Sequence, residues 1–352
     1  MKTKIGLALT LLMLMAACST PTTEEPPTPA GPRTLTVMTH DSFAVSEDVI
    51  ATFQAEFDVE VKFIEAGDTG TAVNKAVLSK DAPLADVFYG VDNTFLSRAL
   101  EEDIFEAYES PLLEEIPDSF ELDSTSRALP VDFGDVCLNY DIAYFEENNL
   151  APPESLEDLL EPEYAGLLVV ENPATSSPGL AFLFATIGHF GESNYLAFWD
   201  GLVENDLKVV NDWETAYYSE FSRWGGTRPI VVSYGSSPPF EVIFAEEPLD
   251  SAPTAAVTSD GSCFRQIEFA GILKGTQNRD LAQKFIDFML SPTFQEDIPL
   301  QMYVFPVNQK AQLDEAFVQY LAIPKNPAAL DPTSIAQNRE TWIREWTETV
   351  LR

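Results

Sequence analysis

LTVMT (35–39), SEDVIATFQAEF (46–57), VEVKFIE (59–65), TAVNKAVLSK (71–80), DVFYG (86–90) and NTFLSRALEE (93–102) follow one another along the chain. Short β-branched runs alternate with amphipathic segments, which predicts repeated βα units and a largely parallel sheet covered by helices. Val49, Ile50, Phe53 and Phe57 share one helical face, with Ser46 at the N-cap position. That face is expected to pack on the sheet.

Further on, LPVDFGDVCLN (129–139) is an extended segment containing proline and glycine, after which a new set of elements begins. It reads as a first crossing into a second lobe that holds the strands LLVV (167–170), LKVV (207–210) and IVVS (230–233). A return crossing is expected near 259–268, followed by the strand QIEFAGIL (266–273) and the helix RDLAQKFIDFMLSP (279–292). The final stretch, 332–352, places Ile335, Trp342, Trp346 and Val350 near helical spacing and should close the structure by packing on a lobe. The resulting expectation is an α/β protein with 34–130 and 264–352 in lobe 1, the C-terminal helix included, and 131–263 in lobe 2.

The N-terminus has a different character. Lys2 and Lys4 precede an apolar run from Ile5 to Met15, and Ala16-Ala17-Cys18 follows. This is the order of a secretory signal, and the run falls short of the roughly 20 apolar residues that span a bilayer. Residues 1–17 are therefore read as a leader, Cys18 as the lipidated first residue of the mature chain, and 18–33 as a disordered tether. STPTTEEPPTPAGPR contains no large apolar residue with which to build a core. This predicts a soluble domain held at the membrane from outside the cytoplasm.

Composition narrows the function. The chain is 45% apolar and 11% aromatic, which suits a well-cored globular protein. With 57 acidic against 20 basic residues its formal charge is −37. Nucleic-acid binding, which needs a basic face, is disfavoured. An acidic field would draw a cationic solute, although solubility alone also explains it. With Cys18 assigned to lipid, Cys137 and Cys263 remain, both in strand-like segments near the crossings. An oxidising exterior favours a disulfide between them, with two separate buried thiols as the alternative.

In open α/β sheets, ligands bind beyond the carboxyl ends of the strands. Polar residues collect there: His40, Asp41 and Ser42 after the first strand, Asp68 and Thr69 after the second, and Asp92, Asn93 and Thr94 after the third. Each alone could be a helix cap. The second lobe offers Thr175-Ser176-Ser177-Pro178-Gly179 and Ser233-Tyr234-Gly235-Ser236-Ser237-Pro238-Pro239, where serine before proline marks a helix start able to receive a hydroxyl or phosphate. Trp213, Tyr217, Tyr234 and Tyr303 stand beside these loops, and aromatic faces hold flat rings and cations. The two histidines, His40 and His189, accompany no nucleophile, metal or nucleotide motif, so no enzyme, cofactor or metal is expected.

THDSF (39–43), ADVFYGVDNTFL (85–96), NPATSSPGL (172–180), DWETAY (212–217), VSYGSSP (232–238), LAQKFIDFMLSPTFQEDIP (281–299) and RETWIREWTETVLR (339–352) together resemble the periplasmic thiamine-binding proteins of ABC importers. The resemblance implies a type II periplasmic-binding fold with thiamine or a thiamine phosphate between two hinged lobes. It also implies delivery by a monomer to a membrane permease served by a cytoplasmic ATPase. Carried onto this chain, it makes Tyr234 and Tyr303 ring-stacking residues, Trp213 and Tyr217 further walls, and Asp68 a polar partner. Ser176 would face the hydroxyethyl or phosphate end. Three rivals stay open at this point: a ferric-iron binder using Tyr217, Tyr218 and His40, a polyamine binder, and a hydrolase using a serine of SYGSSP.

Overall fold

The computed structural model describes residues 33–313, 315–319 and 322–352. The leader, Cys18 and the tether up to residue 32 lie outside the described residues. Eleven strands occur among those described: β1 Arg33–Thr39, β2 Val59–Glu65, β3 Val87–Asp92, β4 Phe105–Glu106, β5 Leu129–Asp141, β6 Leu168–Glu171, β7 Lys208–Val210, β8 Ile230–Tyr234, β9 Thr254–Val257, β10 Phe264–Leu273 and β11 Phe305–Pro306. They join in the order β2-β1-β3-β10-β5-β8-β6-β7, with β11 and β9 on β5 and β4 on β10.

The ends of this sheet are two parallel α/β units. β1 runs parallel to β2 and β3, and β6 runs parallel to β7 and β8. Between them lie the two long strands, β5 and β10, paired antiparallel from Phe264 opposite Val136 to Ala270 opposite Leu129. Each belongs to both units: β10 pairs β3 through Glu268–Ile272, while β5 pairs β8 through Val136–Tyr140. β5 spans the segment 129–139 read as the first crossing, and β10 overlaps the expected return at 259–268 from Phe264 onward. Cys137 and Cys263 are joined in a disulfide at the second-lobe end of the pair, with Cα atoms 4.4 Å apart.

Helices cover the sheet as their apolar spacing requires. Ile50 and Phe53 of helix Glu47–Phe57 are buried, and Phe53 meets Phe285 of helix Arg279–Leu290 edge to face, with ring centroids 5.1 Å apart. Burying side chains of this size contributes about 1.5 to 3 kcal/mol each. Ser46 holds the N-cap position, but its hydroxyl donates to Asp297 rather than to the helix.

One placement differs from expectation. Helix Pro332–Val350 was assigned to the first lobe and packs chiefly on the second. Trp346 meets Trp199 at 5.4 Å, Trp342 meets Phe184 at 5.7 Å, and Tyr195 donates to Glu345. The physical cause is a further crossing: the segment before the helix bonds back to the second lobe, through Ala328 N to Cys263 O and Gly261 N to Asn326 O. At its other side the helix still touches the first lobe, where Arg339 lies 5.1 Å over the Phe95 ring.

Candidate functional site

The carboxyl ends of β1, β2 and β3 face those of β6 and β8 across a cavity of about 270 Å³. From the first lobe, His40, Asp41, Ser42, Asp68 and Thr69 line it; from the second, Ser177, Trp213, Glu214, Tyr218 and Tyr234. The strand β10 supplies the floor with Gln266 and Glu268, and Tyr303 closes one side. Neither lysine nor arginine lines it among the described residues.

Asp68 is the N-cap of helix Thr69–Leu78, and its Oδ1 accepts from Thr69 N at 2.6 Å. The same carboxylate reaches the other lobe, accepting from Ser177 N at 3.1 Å and from Trp213 N at 3.3 Å. Asp92 repeats the arrangement, capping the turn at Thr94 and Phe95 while receiving the Ser177 hydroxyl. The lobes are thus clasped through two buried carboxylates. Close approach of backbone is needed here, and Gly70 permits it: a Cβ at that position would come within 2.9 Å of Thr175 O. Burial, the largest cause, pushes Asp68 up to about 7, and also raises Asp92.

The floor is a second cluster of acids. Glu268 and Asp132 stand opposite each other on β10 and β5, and Tyr89 donates to both. Burial raises both carboxyls, Asp132 to about 6 and Glu268 well above the ordinary range, where its Asp132 neighbour adds to the effect. His40 lies beside them with Nε2 at 3.6 Å from Glu268 Oε1, and that nitrogen has no hydrogen-bond partner. Burial lowers His40 to about 4, so it is a neutral ring at physiological pH. Gly90 makes its seat, since the backbone there has φ +99° and a Cβ would fall 2.3 Å from His40 Cδ2.

The opposite wall is aromatic and braced from behind. Trp213 stacks on Tyr217 at 5.1 Å and 20°, and its indole N–H donates to Ser233 Oγ at 3.0 Å. Tyr217 is buried, and its hydroxyl donates to Glu241 at 2.7 Å. Tyr234 faces Trp213 at 6.4 Å and reaches Gln266 with its hydroxyl. Tyr303 has left-handed backbone, φ 63°, an uncommon conformation for a bulky residue, and its ring lies 3.8 Å from Phe240. The Ser236 hydroxyl donates to the Tyr303 carbonyl and so fixes that turn.

Seven of the twelve predicted ligand residues therefore meet at the cavity: His40, Asp41, Ser42, Asp68, Trp213, Tyr234 and Tyr303. The other five stand behind it. Asp92 belongs to the clasp, Asn93 fastens its loop to β10 through Ile267 N and Arg265 O, and Tyr217 backs Trp213. Ser236 is committed to Tyr303, and it is Ser177, one residue after Ser176, that reaches the cavity. Sequence reasoning named Tyr218 only as a ligand of the iron rival and missed Glu214, Gln266 and Glu268. The last two had a signal, because alternate residues of a strand share a face and both are polar in RQIEF.

The same geometry does not assemble the ligand sets that two of the rivals would use. Tyr217 does not converge with His40, because its hydroxyl is turned to Glu241, and the tyrosine pair is thereby split. Among the described residues no group of three or more His, Cys, Asp or Glu side chains is placed to hold a metal ion. The serines of SYGSSP bond to one another, to Trp213 and to a carbonyl, and His189 pairs with Glu157. Among the described residues no serine is hydrogen-bonded to a histidine.

A family model described as bacterial extracellular solute-binding protein matches residues 82–321. This chain belongs to that family. The solute-binding protein is 30% identical over 348 residues to the thiamine-binding periplasmic protein of Salmonella typhimurium, covering 97% of this chain and 98% of the relative. It is 30% identical over 347 residues to the protein of that name from Escherichia coli, with the same two coverages. A solved periplasmic thiamin binding protein superposes with a TM-score of 0.77 at 27% identity, over 91% of this chain and 96% of the other. Iron-bound HitA from Pseudomonas aeruginosa shares the fold at 21% identity and a TM-score of 0.72, over 90% and 99%. As a member of this family the chain acts outside the cytoplasm, and it binds solute rather than catalysing a reaction.

Proposed function

We propose that the cleft captures thiamine, free or phosphorylated, and that the closed form delivers it to a membrane permease of an ABC importer driven by a cytoplasmic ATPase. The observation that carries this reading is the pairing of an aromatic wall, Trp213, Tyr218, Tyr234 and Tyr303, with a lining whose only ionisable groups besides the tyrosines are carboxyls and one neutral histidine. A flat aminopyrimidine joined to a thiazolium needs stacking faces, hydrogen-bonding groups and negative charge. The 30% identity to proteins named for thiamine supports the same choice.

Closure follows from the clasp. Asp68 and Asp92 on one lobe and Ser177 and Trp213 on the other join only when the lobes meet, and β5 and β10, the strands common to both units, supply the hinge. The protein works as a monomer tethered through lipid on Cys18, by the order of charged, apolar and small residues that precedes that cysteine. A Cys137–Cys263 disulfide suits that oxidising location.

Titration of the purified protein with thiamine tests the reading, with tryptophan fluorescence and calorimetry as readouts. Saturable quenching with matching heat is expected, because Trp213 lines the cavity. Absence of both overturns the assignment, and displacement by spermidine at equal affinity would replace it with a polyamine binder.

A further inference from the structure

A second cavity, of about 520 Å³, adjoins the cleft on the second-lobe side, and Tyr218 and Tyr303 line both. Two sets of rings build it. Phe240 and Phe244, one helical turn apart at the end of helix Ser237–Ile243, lie nearly parallel at 11° with centroids separated by 5.7 Å, and Tyr303 stands 6.0 Å from Phe244. The π-helix Thr215–Glu220 brings Tyr218, and the turn Ser222–Trp224 brings Trp224 to 5.8 Å from it. Phe244 is 52% exposed, Trp224 47% and Tyr218 42%, so three large rings meet solvent at one place. Gathered in this way, exposed apolar surface marks a binding site more than rings scattered singly do.

The charges on this cavity decide what it would take. Arg223 is the one basic residue lining it among those described, and its charge is already matched: the guanidinium lies 4.9 Å over the Trp224 ring, with Nε at 3.1 Å from Glu241. The chain thus holds its own flat cation between an aromatic face and a carboxylate. Glu246 and Glu247 line the same cavity, exposed and outside any ion pair among the described residues. With Phe244 and Tyr303 they offer the same two elements, a ring face and negative charge, to a cation that the chain does not supply.

We propose that this cavity is a second binding site, outside the interlobe cleft, for a flat organic cation of the quaternary heteroaromatic class. The parallel rings select a flat body, and the ring faces together with two unpaired carboxylates select positive charge. Because Tyr218 and Tyr303 belong to both cavities, a cation held here lies across those rings from the cleft. The proposal does not depend on which solute the cleft itself takes.

N-methylquinolinium is the probe, with quinoline, uncharged in mildly alkaline buffer, as the neutral control. Calorimetric titration of the Trp213→Ala protein, whose cleft wall is removed, isolates the outer cavity. Saturable binding of N-methylquinolinium is expected there, with quinoline roughly fivefold weaker. Adding Trp224→Ala and Phe244→Ala to that protein should weaken the cation at least tenfold. Neither ring lines the cleft, so the same two substitutions alone should leave a thiamine titration as it is in the parent, and the thiamine assignment is read separately.

No saturable binding to Trp213→Ala, or binding that persists without Trp224 and Phe244, overturns the proposal. Should the multiple variant fail to fold, Glu246→Gln with Glu247→Gln, at exposed positions, takes its place: N-methylquinolinium should weaken while quinoline does not change. An unaltered preference for the cation in that protein would sink the charge argument, as would equal binding of the two probes before it.

Discussion

On the first-lobe side of the cleft, Asp68 and Asp92 have their hydrogen bonds filled by the protein itself; on the second-lobe side, Trp213 and Tyr234 have supports behind them and open faces in front. Asp68 caps a helix and Asp92 a turn in their own lobe, and both clasp the other, so these two carboxylates are satisfied before a ligand arrives. The aromatic region is complete only behind. Stacking on the open rings is therefore where a ligand gains most, and the clasp holds the lobes together. Removing rings should weaken every ligand, whereas altering the clasp should change closure and pH behaviour.

Trp213→Ala is the largest expected break. It removes the ring that stacks on Tyr217 and lines the cavity, and thiamine affinity should fall at least a hundredfold, about 2.7 kcal/mol. A loss under tenfold in a calorimetric titration would place the ligand elsewhere. Tyr234→Ala ranks next, at about tenfold or 1.4 kcal/mol, because Tyr234 contributes one ring and a hydroxyl already bonded to Gln266.

These residues also show what could be read from sequence. The βα repeats of 35–102 and the long crossing at 129–139 were legible, because period-2 and helical spacing are local signals. Trp213, Tyr234 and Tyr303 were legible because aromatic residues stood beside loops at strand ends. Asp68 was legible as a polar cleft residue but not as a clasp, since its partners Ser177 and Trp213 lie 109 and 145 residues away. Tyr217 was confused with Tyr218 for a structural reason: residues 215–220 form a π-helix, whose wider turn sends the first tyrosine behind Trp213 and the second to the cavity. Helix Pro332–Val350 had a correct apolar face, yet an amphipathic pattern does not say which lobe it covers.

The clasp side predicts a pH effect of smaller size. Asp68 titrates near 7 in the folded protein against 3.8 for the unfolded chain, so its contribution to stability is full below about 4 and is lost as pH rises through 7. Glu171, buried with neither carboxyl oxygen hydrogen-bonded, shifts the same way, and so does Glu268. His40 has the opposite sign: held near 4 against 6.5 unfolded, it loses stability only as pH falls through 6.5 toward 4. Between pH 6.5 and 8 the acids act alone, and the melting temperature of the ligand-free protein should fall. Glu171→Gln should flatten that fall, since a neutral amide has no charge to bury. A melting temperature that rises over the same range would show these carboxyls to be ionised and satisfied.

The smallest effect expected is also the sharpest test of the division between the two sides. Tyr217 was predicted as a wall and lies behind one, its ring under Trp213 and its hydroxyl on Glu241, which also meets Arg223 at 3.1 Å. Tyr217→Phe keeps the ring and removes only that hydroxyl. Glu241 keeps Arg223 as a partner, so the variant should fold and bind thiamine within about twofold of the parent, while losing roughly 1 kcal/mol of stability for the broken hydrogen bond. Melting and titration of the same sample separate the two outcomes. A tenfold loss of affinity with unchanged melting would mean that the Tyr217 hydroxyl turns into the cleft when ligand binds, and the aromatic wall would then be no longer braced but mobile.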